Sequence, residues 1–199
     1  ALDLETTGVD PWECRPVSVA AVYLDARGLA SGPEPLIVNA GVDVPDGAAA
    51  VHGLTTAAVQ TRGAPLAVMH EYVDQLLARC HRERVPLVIF NARFDWTLLC
   101  RERERAGRAR PVAPVLVDPL VLSRYLEPRR ERHNLGELAR LYGVPLARSH
   151  EARADAVAAA ALARQMGERW PALADVPPER LNLAQAAWCE EWRAAFNAD

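Results

Sequence analysis

Acidic side chains two positions apart on an apolar strand can share a cation, and the chain opens with that pattern: Ala1-Leu2-Asp3-Leu4-Glu5-Thr6-Thr7-Gly8. Positions i and i+2 of a strand point to one face, so Asp3 and Glu5 converge. Two converging carboxylates repel unless a proton or cation lies between them, and a hard divalent ion with oxygen ligands, Mg²⁺ or Mn²⁺, is the natural partner. Thr6, Thr7 and Gly8 add two hydroxyls and a flexible turn, suited to a sugar hydroxyl. Asp95 stands in Asn91-Ala92-Arg93-Phe94-Asp95, directly after an apolar run and at the opening of a helix; taken alone, helix capping describes it equally well. His150 lies in a loop ahead of an Ala-rich helix, and Asp155 follows in that helix's first turns. An exposed loop histidine and a dipole-favoured acid are the plainer readings of that pair. Four acids in three separated segments, all expected at strand or helix ends, fit one site better than four unrelated surface acids.

The elements that must position these residues can be read from periodicity. Val17 to Leu24 and Pro35 to Val38 read as two antiparallel strands after the first, separated by a polar turn containing glycine. Helices are expected at Thr55 to Thr61 and at Leu66 to Arg79, the latter with Pro65 at its first position and an apolar stripe of Val68, Tyr72, Leu76 and Leu77. Pro86 to Phe90 reads as a buried strand, Phe94 to Ala106 as an amphipathic helix ending near Gly107, and Val115 to Val117 as a short strand before a helix at Leu120 to Leu126. Leu135 to Tyr142 and Ala152 to Trp170 complete the helices of the main domain. Antiparallel strands first, then strands alternating with helices, imply a three-layer α/β domain with a mixed sheet.

With 199 residues, half of them apolar, the chain is long enough for one domain with a sizeable core, expected at residues 1 to 170. Residues 171 to 199 read as a C-terminal linker (Pro171 to Pro178) and a helix from Glu179 carrying Trp188, Trp192 and Phe196 at helical spacing. The apolar opening without a Met suggests a first strand truncated at the N-terminus. No apolar run is long enough to span a membrane and no signal layout is seen, so a cytoplasmic protein is expected. Cys14, Cys80, Cys100 and Cys189 have neither zinc-ligand nor disulfide-framework spacing and read as reduced thiols. A formal charge of −3 argues against a protein that holds duplex nucleic acid by long-range attraction, yet it does not exclude a nuclease whose carboxylates bind metals. All basic residues are Arg, a compositional bias rather than a functional signal.

Taken together, Asp-Leu-Glu-Thr-Thr-Gly at 3 to 8, Asn-Ala-Arg-Phe-Asp at 91 to 95 and His-Glu-Ala-Arg-Ala-Asp at 150 to 155 resemble the motifs of the DEDD-type, DnaQ-like exonucleases of the histidine subclass. Val51-His52-Gly53-Leu54 and Val117-Asp118-Pro119-Leu120 are similar to two further segments of that family, and the resemblance covers about residues 1 to 168. It implies a ribonuclease H-like fold with a five-stranded mixed sheet, and a 3′-to-5′ exonuclease that releases nucleoside 5′-monophosphates from single-stranded DNA, with RNA as an alternative substrate. It also implies two Mg²⁺ or Mn²⁺ ions. Asp3, Glu5 and Asp155 would hold the catalytic ion, Asp3 the second as well, Asp95 would act through bound water, and His150 would be the general base. Thr6 and Thr7 would contact the terminal ribose, Val51, His52 and Phe94 the terminal bases, and Asn91 counts among the substrate contacts. Phe90 stands where the family often has a histidine, and Leu54 replaces a more usual Ile. A standalone enzyme acting on single-stranded DNA 3′ ends is the first expectation, with a DNA polymerase or a second copy of the chain as the alternative macromolecular partner; a non-catalytic scaffold is the rival, and no membrane partner is expected.

Weaker signals have plain readings. Arg101, Arg103, Arg105, Arg108 and Arg110, and a second cluster at Arg129, Arg130 and Arg132, read as solvated surface, with phosphate guidance the alternative. Asp118 reads as a cap for the next helix, and Trp188, Trp192 and Phe196 as core packing or a dimer contact.

Overall fold

The computed structural model describes residues 1–146 and 151–196. In chain order the strands are β1 (Leu2–Thr6), β2 (Pro16–Ala21), β3 (Tyr23–Leu24), β4 (Ala30–Ser31), β5 (Leu36–Asn39), β6 (Ala64–Pro65), β7 (Leu87–Val88) and β8 (Leu116–Val117). The α-helices are α1 (Asp46–His52), α2 (Thr56–Arg62), α3 (Leu66–Glu83), α4 (Ala92–Arg105), α5 (Pro119–Leu126), α6 (Leu135–Leu141), α7 (Ala152–Arg169) and α8 (Pro178–Phe196). A short 3₁₀ helix, Pro171–Asp175, occupies most of the expected linker.

β1, β2, β5 and β6 form a mixed sheet in that order, antiparallel from β1 to β5 and parallel between β5 and β6. β3 and β4 make a separate hairpin, and β7 and β8 a parallel pair. The mixed sheet flanked by helices is therefore present, with its ladders divided into four and two strands rather than one run of five. β7 is shorter than the apolar run 86–90 because the chain turns left-handed at Asn91 (φ 60°), although Ile89 N–H still donates to Val117 O at 3.0 Å.

Alternation along β1 sets the layers. Leu2 and Leu4 are buried in a core with Val19, Met69, Val73, Leu76, Leu77 and Leu98, which seats α3 and α4 on the sheet. α7 lies against β1 and β2. Its buried Ala156, Ala158, Ala159 and Ala160 are small enough to let the helix approach closely, since interaxial distance follows side-chain size. A second core joins α5, α6 and α7 through Leu122, Leu138, Ala158, Leu162 and Met166.

Two sequence expectations shift. The buried face of α3 is Met69, His70, Val73, Leu76, Leu77 and Cys80, whereas Val68 is exposed, and Pro65 precedes the helix in β6 instead of opening it. α1 lacks any buried residue, so it has no apolar stripe to reveal it; it ends at Gly53, whose left-handed φ of 77° suits glycine. No helix among the described residues is long and apolar enough to cross a membrane.

Candidate metal centre

β1 delivers Asp3 and Glu5 to one face and then slips register between Glu5 and Thr6, where Pro16, which has no N–H, pairs with Thr6. Asp155 comes from the first turn of α7. One carboxylate oxygen each from Asp3, Glu5 and Asp155 lie within 4.8 Å of one another. Glu5 and Asp155 are nearly buried. Asp95, in the first turn of α4, is buried too and stands close enough to Asp3 to repel its charge, but outside that group of three.

The electrostatics show what the arrangement favours. Asp3 is held well above the ordinary carboxylate range, first by burial and then by repulsion from Asp95, Glu5 and Asp155. Glu5 is pushed up to about 7 by burial and by Asp155. Asp95 reaches about 8 through burial, opposed by the backbone N–H groups of Asp95 and Leu4. Among the described residues no arginine or histidine pairs with Asp3, Glu5 or Asp95, and Glu5 Oε1 is buried with no hydrogen-bond partner. An all-oxygen donor set with surplus negative charge and an orphaned buried oxygen fits a hard divalent cation.

The turn after β1 is tightly tied. Thr6 Oγ1 donates to Gly8 O at 2.6 Å, and Thr7 Oγ1 accepts from Arg15 N–H at 2.9 Å. Arg15 in turn makes two bonds, 2.7 and 3.1 Å, to Glu102, which is 1% exposed and also receives Arg105 at 2.6 Å. The arginines at the end of α4 are thus engaged: Arg105 clamps the β1–β2 loop through Cys14 O and Trp12 O, Arg103 and Arg108 bind Asp74, and Arg101 and Arg110 bind Glu104.

Of the other residues singled out in the sequence, Val51 is exposed near the end of α1, and His52 closes that helix, its Nδ1 accepting from Leu54 N–H at 3.1 Å. Phe94 is half-buried on α4 against the first core. Asn91 takes the left-handed turn into α4. His150 lies outside the described residues.

Sequence reasoning undervalued Asp118. It caps α5 as expected, accepting from Leu120 N–H at 2.9 Å, but the same carboxylate accepts from Asn91 N–H at 2.9 Å and Ala92 N–H at 2.8 Å. Successive N–H groups in a left-handed then right-handed conformation form a nest for an anion, and here the anion is a side chain. The left-handed Asn91 between β7 and α4 exposes these N–H groups to such a partner, a turn that the sequence does not announce. Arg153 was also missed: it bonds Gly32 O and Pro33 O at 3.0 and 2.7 Å and so anchors the start of α7 near the β4–β5 connection.

A helix-flanked mixed sheet with an acidic centre built from its first strand and two helix starts defines the class of this domain. The chain belongs to the exonuclease family: the RNase T model, described as an exonuclease, matches residues 1–163. A DNA polymerase III subunit epsilon-like protein of Rhodobacter capsulatus is 34% identical over 164 residues, covering 79% of this chain and 22% of the relative. A PolC-type DNA polymerase III of Lacticaseibacillus paracasei is 44% identical over 72 residues, 36% of this chain and 5% of that protein. Among solved structures, E. coli Exonuclease I in complex with a dT13 oligonucleotide superposes with a TM-score of 0.70 at 22% identity, covering 87% of this chain and 42% of that one. Exonuclease I of Methylocaldum szegediense gives 0.66 at 24% identity, covering 85% and 40%. The fold is thus the ribonuclease H-like exonuclease fold, and the chain spans less than half the length of each of these proteins.

Proposed function

We propose that this domain is a 3′-to-5′ exonuclease that removes nucleoside 5′-monophosphates from single-stranded DNA with the help of two divalent ions, Mg²⁺ or Mn²⁺. The observation that carries the reading is the trio Asp3, Glu5 and Asp155, whose oxygens gather within 4.8 Å in a chain of the exonuclease family. Those three residues would hold the catalytic ion, Asp3 would also serve the second, and Asp95 would act through bound water. When bound, such ions lower the pKa of an attacking water and steady the charge on the attacking and leaving oxygens. His150 accepts the proton of that water, a role drawn from the motif resemblance; an ordinary imidazole near pKa 6.5 is suited to it at neutral pH. Thr7 Oγ1 already accepts from Arg15 N–H, which leaves its O–H proton free to donate to a sugar oxygen, while Thr6 spends its proton on Gly8 O and can still accept. Phe94, Val51, His52 and Asn91 complete the substrate contacts, with stacking on Phe94 tolerant of base identity.

The relatives named as DNA polymerase III components favour a polymerase partner over a stand-alone role. Paired digestion of matched DNA and RNA oligonucleotides labelled at the 5′ end tests the substrate and the direction together. The expected result is a ladder shortening from the 3′ end with DNA degraded faster. Equal or faster loss of RNA assigns RNA trimming instead, and release of internal fragments overturns the end-directed reading.

A further inference from the structure

The helix α8 begins beyond residue 163, where the matched family segment ends. It meets the outer edge of β8 through two side-chain amides that stand in for a neighbouring strand. Asn182 Oδ1 accepts from Leu116 N–H at 2.7 Å and its Nδ2 donates to Pro114 O at 2.8 Å. Gln185 Nε2 donates to Leu116 O at 2.8 Å, and its Oε1 accepts from Asp118 N–H at 2.8 Å. The other edge of β8 is occupied by β7, with Leu87 N–H and Ile89 N–H donating to Val115 O and Val117 O.

The second of these amides reaches further than edge protection requires. Gln185 is buried and fixes the backbone of Asp118; the carboxylate of Asp118 grips Asn91 and Ala92 N–H; and Ala92 begins the helix whose first turn carries Asp95 beside Asp3. The links are hydrogen bonds to the buried Asp118, through its N–H or its carboxylate, and a rigid helical turn. We propose that Gln185 is a positioning residue for the metal centre: by fixing Asp118 it sets the placement of Asp95 and, through it, how tightly the site holds divalent ions. The inference rests on the metal-centre reading above. Outer partners of metal ligands act in this way, orienting groups that the ion itself touches directly or through water.

The test measures Mn²⁺ binding by electron paramagnetic resonance in the absence of nucleic acid, for wild type, Gln185→Met and Trp188→Ala. The Met variant keeps the bulk of Gln185 and removes its hydrogen bonds. Trp188 stacks on Tyr125 of α5 at 4.1 Å between ring centres, so its loss weakens α8 docking without touching the relay. Gln185→Met is expected to weaken Mn²⁺ binding about tenfold and to speed deuterium exchange at Asn91 and Ala92 N–H. Trp188→Ala is expected to lower the melting temperature at least as much and to leave Mn²⁺ affinity unchanged. Coupling is reciprocal, so Mn²⁺ should slow exchange of Asp118 N–H in wild type, a readout that stands even should Gln185→Met not fold. Wild-type Mn²⁺ affinity in Gln185→Met, or equal weakening by Trp188→Ala, or Mn²⁺-insensitive exchange at Asp118, overturns the inference alone. Absence of Mn²⁺ binding by wild type overturns the metal-centre reading and this inference with it.

Discussion

Raising the pH in the presence of a chelator should destabilise this fold, and a divalent ion should restore it. The carboxyl groups of Glu5 and Asp95 sit at about 7 and about 8, both raised chiefly by burial, and Asp3 is raised further by burial and by its acidic neighbours. A group whose pKa is higher folded than unfolded favours the folded state when protonated. Its contribution is complete below the unfolded value and is lost as pH climbs through the folded one. For Glu5, the rise from 4.5 to about 7 corresponds to about 3 kcal/mol lost between roughly pH 4.5 and 8. At about 2–4 °C per kcal/mol for a domain of this size, Glu5 alone moves the melting temperature by about 6–12 °C. Differential scanning calorimetry of wild type and Glu5→Gln, each in EDTA and in excess Mn²⁺ from pH 5.5 to 8.5, reads the effect. The expected result is a falling wild-type curve in EDTA, a shallower one for Glu5→Gln, and recovery by Mn²⁺ that grows with pH in wild type. A chelated melting temperature that is flat or rising with pH, or a Glu5→Gln slope equal to wild type, would refute the reasoning.

Other expectations follow from the same contacts. Asp118→Asn keeps one oxygen acceptor and turns the other atom into a donor facing Asn91 or Ala92 N–H, so urea unfolding should show a loss of about 1–3 kcal/mol, and nuclease activity should fall through the displaced Asp95. Glu102→Ala strips a buried acid from Arg15 and Arg105 and releases the β1–β2 loop, with an expected loss of about 3 kcal/mol; a melt unchanged within error would show that the network is not needed. Thr7→Val keeps the shape of the side chain but orphans Arg15 N–H, and is expected to raise KM for an oligonucleotide more than it lowers kcat.

What was legible in the sequence follows physical range. Asp3 and Glu5 could be read because a two-residue period is local, and α4 and α7 because their apolar or Ala-rich patterns run for several turns. α1 was missed because nothing on it is buried, and β7 was overdrawn because the run from Pro86 to Phe90 does not announce that Asn91 will turn left-handed. The face of α3 was one position out, with Val68 placed inward where Met69 is buried, because both are apolar and only the sheet chooses between them. At the site, residue types and spacing pointed to the acids that the fold groups as Asp3, Glu5 and Asp155. The second tasks of Asp118 and Gln185 stayed hidden, since they depend on hydrogen bonds across 26 or more residues that no local pattern encodes.

The most direct measurement is digestion of a 5′-labelled single-stranded DNA oligonucleotide by wild type and Asp155→Asn, with EDTA and with Mn²⁺, each protein first shown to be folded by its melting curve. The account predicts stepwise shortening from the 3′ end by wild type only when Mn²⁺ is present, with activity of Asp155→Asn lower by at least about a hundredfold, the scale expected when a catalytic ion loses a carboxylate ligand. Degradation that persists in EDTA, or an Asp155→Asn variant as active as wild type, would contradict the claim that these carboxylates form a metal-dependent nuclease centre.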